Sequence, residues 1–400
     1  MKILILSTKL PYPPRDGGAI ATLNLATGLS EAGYKVVLLA MNTAKHWFNT
    51  DLIPEDLQQK ITIHTVDVKA RIRWPALIWN FLFSSQPYIA VRFKSLQFTY
   101  KLRQLITDER PEIIQIEGPY LYYCIPLIHK ISNAKIAFRA HNIEHEIWKR
   151  RADQSKNPLA RYYFRVLSHR ILKVEKSMIS KADITVPISE LDLDKFNDIG
   201  LSRPAIVCPV GLDINRYPEP APLSRIDLFY IGALDWGPNT EGLDWFFANV
   251  WKSITDKYPE IELHIAGRNS DFYFKRKKEI SGIIINGEID DAHAFINNHF
   301  IMIVPLFSGS GVRVKILEGM LLGRTVITTP VGAEGLDVTD NKNILIASNA
   351  DEFISFIDKV IESPDLARAI GSSARQYVIE NFDNLVIAKQ LADFYTEQLK

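Results

Sequence analysis

The stretch Gly309-Ser-Gly-Val-Arg-Val-Lys-Ile-Leu-Glu-Gly-Met-Leu-Leu-Gly323 decides how this chain folds. Apolar runs flank it at residues 300–306 and 324–328, and both read as buried parallel strands. A strand, a small-residue turn, a helix and a second strand make a βαβ unit. Glycines at the turn let a ligand approach the backbone, and the helix start behind them favours an anion. On the expected helix, Gly311, Val314, Lys315 and Glu318 share roughly one face, with Arg313 as a second cation. A phosphate near Lys315 and a sugar diol near Glu318 then fit one nucleotide.

Outward from this segment the same alternation repeats. In the first half, residues 3–7, 35–41, 61–66, 113–117, 135–139, 183–186 and 205–209 read as strands. Helices are expected near 19–32, which Gly33 is placed to stop, and near 159–180. Tyr217-Pro-Glu-Pro-Ala-Pro-Leu223 has the composition of a linker. Beyond it, strands at 227–231, 262–266, 282–285 and 300–305 alternate with a helix at 239–258. Helices at 351–362, 364–380 and 384–399 close the chain. The expectation is an α/β protein of two Rossmann-like, doubly wound domains facing a cleft. Ligands of such folds sit outside the carboxyl ends of the strands.

Bulk properties narrow the function classes. A chain of 400 residues exceeds what one core sustains. A net charge of +1 gives no global case for nucleic acid. Two cysteines, Cys124 and Cys208, exclude a disulfide framework. The N-terminal apolar run is too short for a secretory signal, and the uncharged run at 74–91 is too short to span a bilayer. A cytoplasmic protein is expected. Charge is nevertheless uneven: residues 69–107 hold seven Lys/Arg and no acid, and 149–181 hold ten against Asp153 and Glu175. Aromatics lie among them, so the segments read either as a membrane-surface patch or as solvated helix faces over core aromatics.

Other loops carry candidate chemistry. Gly17-Gly18 at a helix start suits a phosphate or sugar hydroxyl, or simply a tight βα turn, and no G-x-G-x-x-G fingerprint is present. In Arg139-Ala-His-Asn-Ile-Glu-His145 the H-x-x-E-H order resembles a zinc motif. Its first residues straddle a strand end, which breaks the helical geometry two histidine ligands need. His141 is read as positioning a sugar or phosphate, with capping or packing as the alternative. Asp192 and Asp194 form the only D-x-D triplet, behind Ser189 as a natural N-cap, so a capped helix is the better reading. Diphosphate charge then falls to Arg, Lys and helix ends, with no metal site. Arg268, Asn286 and Gly287 end two strands and suit a base or phosphate; Gly332 and Glu334 suit a ribose or phosphate border.

Over essentially its whole length the chain resembles the retaining, GT-B-fold transferases of glycosyltransferase family 4 (glycosyl transferases group 1). The carriers are Gly17-Gly18, the His141 strand end, Ser189-Glu190, Pro209-Val-Gly-Leu-Asp213, the helix bearing Arg313, Lys315 and Glu318, and the terminal helix. The resemblance implies an acceptor-binding domain at 1–210, a nucleotide-sugar-binding domain at 211–383, and a last helix at 384–400 crossing back to the first domain. It implies a UDP- or GDP-linked donor as substrate, no cofactor, no metal, and retention of anomeric configuration. Glu318 matches the second glutamate of the family's E-x7-E motif, which holds the ribose hydroxyls. Ser310 stands where the first glutamate falls, Leu234-Asp-Trp236 where an Arg and a Lys are common, and Val210 where an Asn is common. Arg313 and Lys315 then carry the leaving-group charge, and His141 positions the reacting sugar.

The function expected is transfer of a sugar to a glycan or lipid-linked acceptor in cell-envelope polysaccharide synthesis. Peripheral contact with the inner face of a membrane accompanies that reading. The alternatives are a non-catalytic sugar-nucleotide or glycan-binding subunit, or a sugar-nucleotide epimerase of the same fold.

Overall fold

The computed structural model describes residues 1–14, 16–222, 225–275, 277, 280–309 and 311–400. Packing divides the chain into two compact units, Met1–Leu212 with Asn384–Lys400, and Asp213–Asp383.

Unit 1 is built on β1 (Lys2–Ser7), β2 (Lys35–Thr43), β3 (Thr62–Val68), β4 (Ile113–Glu117), β5 (Lys135–Ala140) and β6 (Ile184–Pro187). They form one sheet in the order β3-β2-β1-β4-β5-β6, every pairing parallel. Strands such as Ile3–Leu6 and Val36–Met41 are wholly apolar and buried because helices cover both faces. Residues 205–209, expected as a further strand, run beside β6, with Ile206 donating to the Thr185 carbonyl (3.2 Å) and Cys208 to the Pro187 carbonyl (2.8 Å), but form a single bridge, between Ala205 and Thr185, and no strand. Pro204 and Pro209 bracket that segment and supply no N–H to a ladder.

Unit 2 repeats the design with β7 (Leu228–Ile231), β8 (Leu263–Ala266), β9 (Ile283–Gly287), β10 (Ile301–Val304), β11 (Thr325–Thr328) and β12 (Leu345–Ile346). The order is β12-β11-β10-β7-β8-β9, again all parallel. Counted from each unit's own first strand, both sheets have the order 3-2-1-4-5-6. Each therefore has a topological switch point, between β1 and β4 and between β7 and β10. The helix expected over 239–258 is interrupted: Gly237–Phe246 passes through a π-turn at Phe247–Trp251 before Lys252–Lys257.

The C-terminal helix, Asn384–Gln398, belongs to unit 1 through its first residue. Asn384 donates its N–H to the Leu212 carbonyl (3.0 Å) and its side-chain amide to the Asn24 carbonyl (2.6 Å). Gly28 and Gly211 lie against it so closely that an added Cβ would sit 2.6 Å from Asn384 side-chain atoms.

In unit 2 the Gly237–Phe246 helix crosses the end of β10 through Gly242, where a Cβ would fall 1.7 Å from the Pro305 carbonyl oxygen. Backbone cannot yield there as a flexible side chain can. Gly242→Ala should cost about 3 kcal/mol of unfolding free energy. Gly237→Ala, in open space on the same helix, should stay within about 0.5 kcal/mol of the parent. Urea denaturation of both variants checks the contrast.

Candidate active site

The loops after β7 and β10 meet at the switch point of unit 2. The turn after β10 contains Gly309 (φ +112°) and Gly311 (φ +80°). Those backbone angles are closed to an α-helix, so the helix begins only at Val314, with Arg313 as N-cap, and runs Val314–Leu321. Gly311 therefore precedes the helix and does not share a helical face with Lys315 and Glu318. Arg313 is 6% exposed, and its guanidinium donates back to the Gly311 carbonyl. Ser310 lies outside the described residues.

Lys315 reaches across to the end of β7. Its ammonium lies within hydrogen-bond range of Tyr230 Oη (3.1 Å), the Ile231 carbonyl (3.2 Å) and Asn239 Oδ1 (3.2 Å), and 4.3 Å from the centre of the Tyr230 ring. Three acceptors match the three N–H groups of an ammonium. Burial pushes its pKa down to about 7, and the nearby Arg313 charge adds to the effect. Gly232 makes room for this: a Cβ would sit 3.0 Å from the Lys315 nitrogen. Gly267 (φ +133°) abuts the Gly232 carbonyl in turn. Trp236 closes the same corner, since a Cβ on Gly309 would meet its ring at 3.1 Å and the Arg313 guanidinium at 3.2 Å.

Glu318 stands one turn beyond Lys315. Its Oε1 accepts from Tyr217 Oη (3.2 Å) and lies 3.6 Å from His293 Nε2. The Tyr217 and His293 rings are 4.1 Å apart, centre to centre. Burial, then the Glu318 charge, pushes the Tyr217 phenol well above its usual range. Neither Tyr217 nor His293 was signalled by sequence, because Tyr217 lies in the Pro-rich stretch and His293 on a separate short helix, Ala292–Asn297.

The remaining unit 2 candidates are more scattered. Arg268 forms an exposed ion pair with Asp235 (3.0 Å), tying the loop after β8 to the loop after β7. Asn286 and Gly287 end β9, where the Gly287 carbonyl accepts from the Gly267 N–H (2.8 Å). Gly332 is held inside the short Pro330–Ala333 helix; its N–H goes to Thr329 Oγ1 (3.1 Å), and a Cβ would meet Thr328 Oγ1 at 1.9 Å. Packing thus already accounts for that glycine. Glu334 is the C-cap of the same helix.

Unit 1 places its candidates at its own switch point. Gly17 and Gly18 open the Gly17–Glu31 helix behind Asp16, whose carboxylate caps the Ala19 N–H (3.0 Å). His141 follows β5, and its Nε2 lies 2.5 Å from Glu117 Oε2, at the end of the adjacent β4. Glu117 is buried and also takes hydrogen bonds from Gln115 (2.5 Å), Thr22 (3.1 Å) and Arg139 (3.3 Å). Burial opposes its charge, but the neighbouring Arg139 and His141 charges and the hydrogen bonds outweigh it, holding the carboxyl at about 2. Gln115 in turn accepts from Tyr395 Oη (2.8 Å) on the C-terminal helix. Sequence marked the loop after Glu117 but missed the carboxylate itself.

The zinc-like triplet separates as its strand-to-helix placement implies. His145 Nδ1 pairs with the buried Glu175 (2.6 Å), and Glu144 accepts from Tyr120 (2.6 Å). Burial leads in raising the Glu144 carboxyl to about 7. Asp192 lies in the Glu190–Asp198 helix, its N–H capped by Ser189 (3.2 Å). Among the described residues, one group with metal-ligand spacing occurs: Asp227, His264 and His299, with ligand atoms within 4.8 Å of one another. It stands at the amino ends of the strands, away from the glycine turns.

Comparison with known proteins adds an independent result. A family model described as Glycosyltransferase Family 4 matches residues 15–216, and one described as Glycosyl transferases group 1 matches residues 225–363. A Klebsiella pneumoniae protein described as an uncharacterized 44.6 kDa protein in the cps region is 24% identical, over 96% of this chain and 97% of its own. Among solved structures, sucrose-phosphate synthase from Thermosynechococcus elongatus aligns with a TM-score of 0.73 at 15% identity, covering 99% of both chains. Anabaena HepE in complex with UDP aligns at 0.68 and 14%, covering 99% of this chain and 100% of its own. At these identities the structural matches establish the fold, two Rossmann-like domains of the GT-B type.

Two outcomes test this geometry. Glu117 has a folded pKa below its unfolded 4.5, so its contribution is complete above pH 4.5 and is lost as pH falls toward 2. Glu117→Gln should lose about 3–5 kcal/mol at pH 7, leaving Arg139 buried without its counter-charge. Its denaturation midpoint should then fall less than the parent's between pH 5 and 3. For Lys315 the sign is opposite. Above pH 7 its amine is mostly neutral, so a diphosphate bound beside it must draw in a proton. Affinity for a nucleoside diphosphate should fall by up to about tenfold per pH unit above 7. Lys315→Met should flatten that slope, as calorimetry in buffers of different ionisation enthalpy would register.

Proposed function

This chain belongs to glycosyltransferase family 4, and from that premise we propose that it moves a sugar from a nucleoside-diphosphate donor to a glycan or lipid-linked acceptor, with retention of anomeric configuration. The observation that carries the donor assignment is the Val314–Leu321 helix at the β7/β10 switch point. There Lys315 and Arg313 stand behind glycine turns, with Glu318 one turn on.

In this reading unit 2 holds the donor. Glu318 exchanges Tyr217 for the ribose hydroxyls, which donate charge-assisted hydrogen bonds to its carboxylate. The diphosphate lies against the glycine backbone near Gly232 and Gly311. Lys315 has its N–H groups occupied by protein acceptors and acts chiefly through its field; Arg313 adds to it. As the bond from the anomeric carbon to the β-phosphate oxygen breaks, negative charge grows on the leaving diphosphate and these cations stabilise it. The acceptor oxygen bonds to the anomeric carbon on the same face, and its proton passes to the departing phosphate. Unit 1 takes the acceptor, and His141, oriented by Glu117, positions the transferred sugar. No step requires a metal.

UDP is the favoured nucleotide because Anabaena HepE, which shares the fold, was solved with UDP. The Klebsiella relative in the cps region supports an envelope polysaccharide as product. A cytoplasmic place, at the inner face of the membrane, follows from such an acceptor. No described helix is long and apolar enough to cross a membrane.

A thermal-shift screen with UDP, GDP, ADP and their sugars, in the presence of EDTA, tests the donor site. UDP should stabilise the protein, and Glu318→Ala should weaken its binding by tens-fold, the equivalent of about 1.5–3 kcal/mol for hydrogen bonds to a charged group. Donor hydrolysis or transfer should accompany binding. Binding with no turnover in acceptor extracts would point instead to a non-catalytic binding subunit. Unchanged affinity in a folded Glu318→Ala protein would remove the ribose assignment.

A further inference from the structure

The helix Trp74–Phe83 in unit 1 is built inside out. Its large apolar side chains face water: Trp74 is 70% exposed, Ile78 55%, Trp79 67%, Leu82 63% and Phe83 68%. Its polar Asn80 is buried at 8%. Residues 74, 78 and 82 are successive i+4 steps, and 79 and 83 form the adjacent row, so the five make one continuous stripe. The Trp79 and Phe83 rings touch within it, their centres 4.4 Å apart. Contiguous apolar patches of this size on a folded protein mark a docking surface.

The helix is not free to roll its stripe inward. At its N-terminal end Tyr88 Oη accepts from the Arg73 N–H (2.9 Å) and reaches the Arg73 carbonyl (3.3 Å). At its C-terminal end Arg170, on the Pro158–Lys181 helix, donates to the carbonyls of Asn80 (3.2 Å) and Phe81 (2.8 Å). Phe81 packs on Tyr163 (5.5 Å) and on the exposed Tyr162 (6.1 Å). The inner face is thus pinned to the body of unit 1 by hydrogen bonds and aromatic contacts.

Charge identifies the occupant. Residues 69–107 carry seven Lys/Arg and no Asp or Glu. Lys69, Arg71 and Arg73 are exposed on the approach to the helix. At its other end Leu82 and Phe83 form one wall of an open groove of about 590 Å³, whose other wall includes Arg165, His169 and Lys173. Apolar stripe and basic rim together suit lipid: indoles and phenyls enter the headgroup–acyl boundary while cations meet headgroup phosphates. Pairing of two copies through this patch would set one basic rim against another, which like-charge repulsion opposes.

We infer that the Trp74–Phe83 helix is a monotopic membrane anchor, lying in the plane of an anionic lipid surface with its aromatic stripe inserted. The docking surface stands on its own geometry. Its use in presenting a lipid-linked acceptor rests on the transferase reading above.

Co-flotation of the full chain with vesicles tests it. Binding to phosphatidylcholine vesicles carrying about 30% phosphatidylglycerol should exceed binding to pure phosphatidylcholine by at least about tenfold, and should weaken at about 0.5 M salt. Trp79→Ser with Phe83→Ser should cut affinity for anionic vesicles by about tenfold or more. Arg71→Gln with Arg73→Gln should cost roughly fivefold or more on anionic vesicles and leave binding to neutral ones unchanged. All four positions are exposed, so the melting temperature should hold. UDP affinity, measured on the same preparations, should be unaffected. Absence of vesicle binding at low salt, or binding indifferent to the aromatic substitutions, overturns the anchor. So does a solution dimer that the aromatic substitutions dissociate, which would assign the stripe to a second copy. Loss of UDP binding with vesicle binding intact would instead count against the transferase reading alone.

Discussion

A carboxylate with almost no water around it holds the functional corner of unit 1 together. Glu117 gathers hydrogen bonds from Gln115, Thr22, Arg139 and His141. Arg139 has no exposed surface, and without that carboxylate it would be a buried charge lacking compensation. The cost of taking both ions out of water is offset by these bonds and by the Ala21 carbonyl, which accepts from Arg139 Nη1 (3.2 Å). Two adjacent strands supply Glu117 and Arg139 in register, the first helix supplies Thr22, and the terminal helix reaches in through Tyr395 and Gln115. His141 inherits its orientation from this network. The position of the C-terminal helix is therefore felt at a histidine about 250 residues earlier in the chain.

Unit 2 handles charge in the opposite way. Lys315 is held by a phenol, a carbonyl and an amide, none of them ionised, and Arg313 lies close by. The Lys315 proton is therefore weakly held, its pKa pushed down to about 7 by burial and the Arg313 charge, and a bound anion favours the charged form. Such a site is costly to the apo protein and receptive to an anion. Glycines keep the corner open: Gly232 and Gly267 bring their backbones into contact, and a side chain at Gly232 would strike the ammonium. The two units share one sheet topology, so both place their chemistry at the switch point, one around a buried carboxylate and the other around a buried amine.

Much of this was legible locally. Lys315 and Glu318 were readable as one turn of a helix because their spacing is a property of helices. Ser189 as a cap and the break between His141 and Glu144 followed from strand and helix chemistry. Gly311 precedes the helix instead of lying on it, because its positive φ, which composition does not reveal, is closed to an α-helix. Tyr217 and His293 on Glu318, and Asn239 and Tyr230 on Lys315, are not legible in the sequence because each partner is separated from it by tens of residues or more. Two short elements also went differently. The segment 205–209 has the apolar content of a strand but prolines at both ends, and β12 is only two residues long.

The uncharged run at 74–91 marks the boundary between the two kinds of knowledge. By itself the sequence determined the repeating strand–helix order, the helical face of Lys315 and Glu318, and the excess of positive charge at 69–107. These depend on periodicity and composition, which are local. Only the tertiary structure decided that Trp79 and Phe83 point to water while Asn80 is buried, and that Glu117 is the group behind His141. An amphipathic stripe says which residues share a face. Which face turns inward depends on what distant segments, here Arg170 and Tyr163, offer to pack against it.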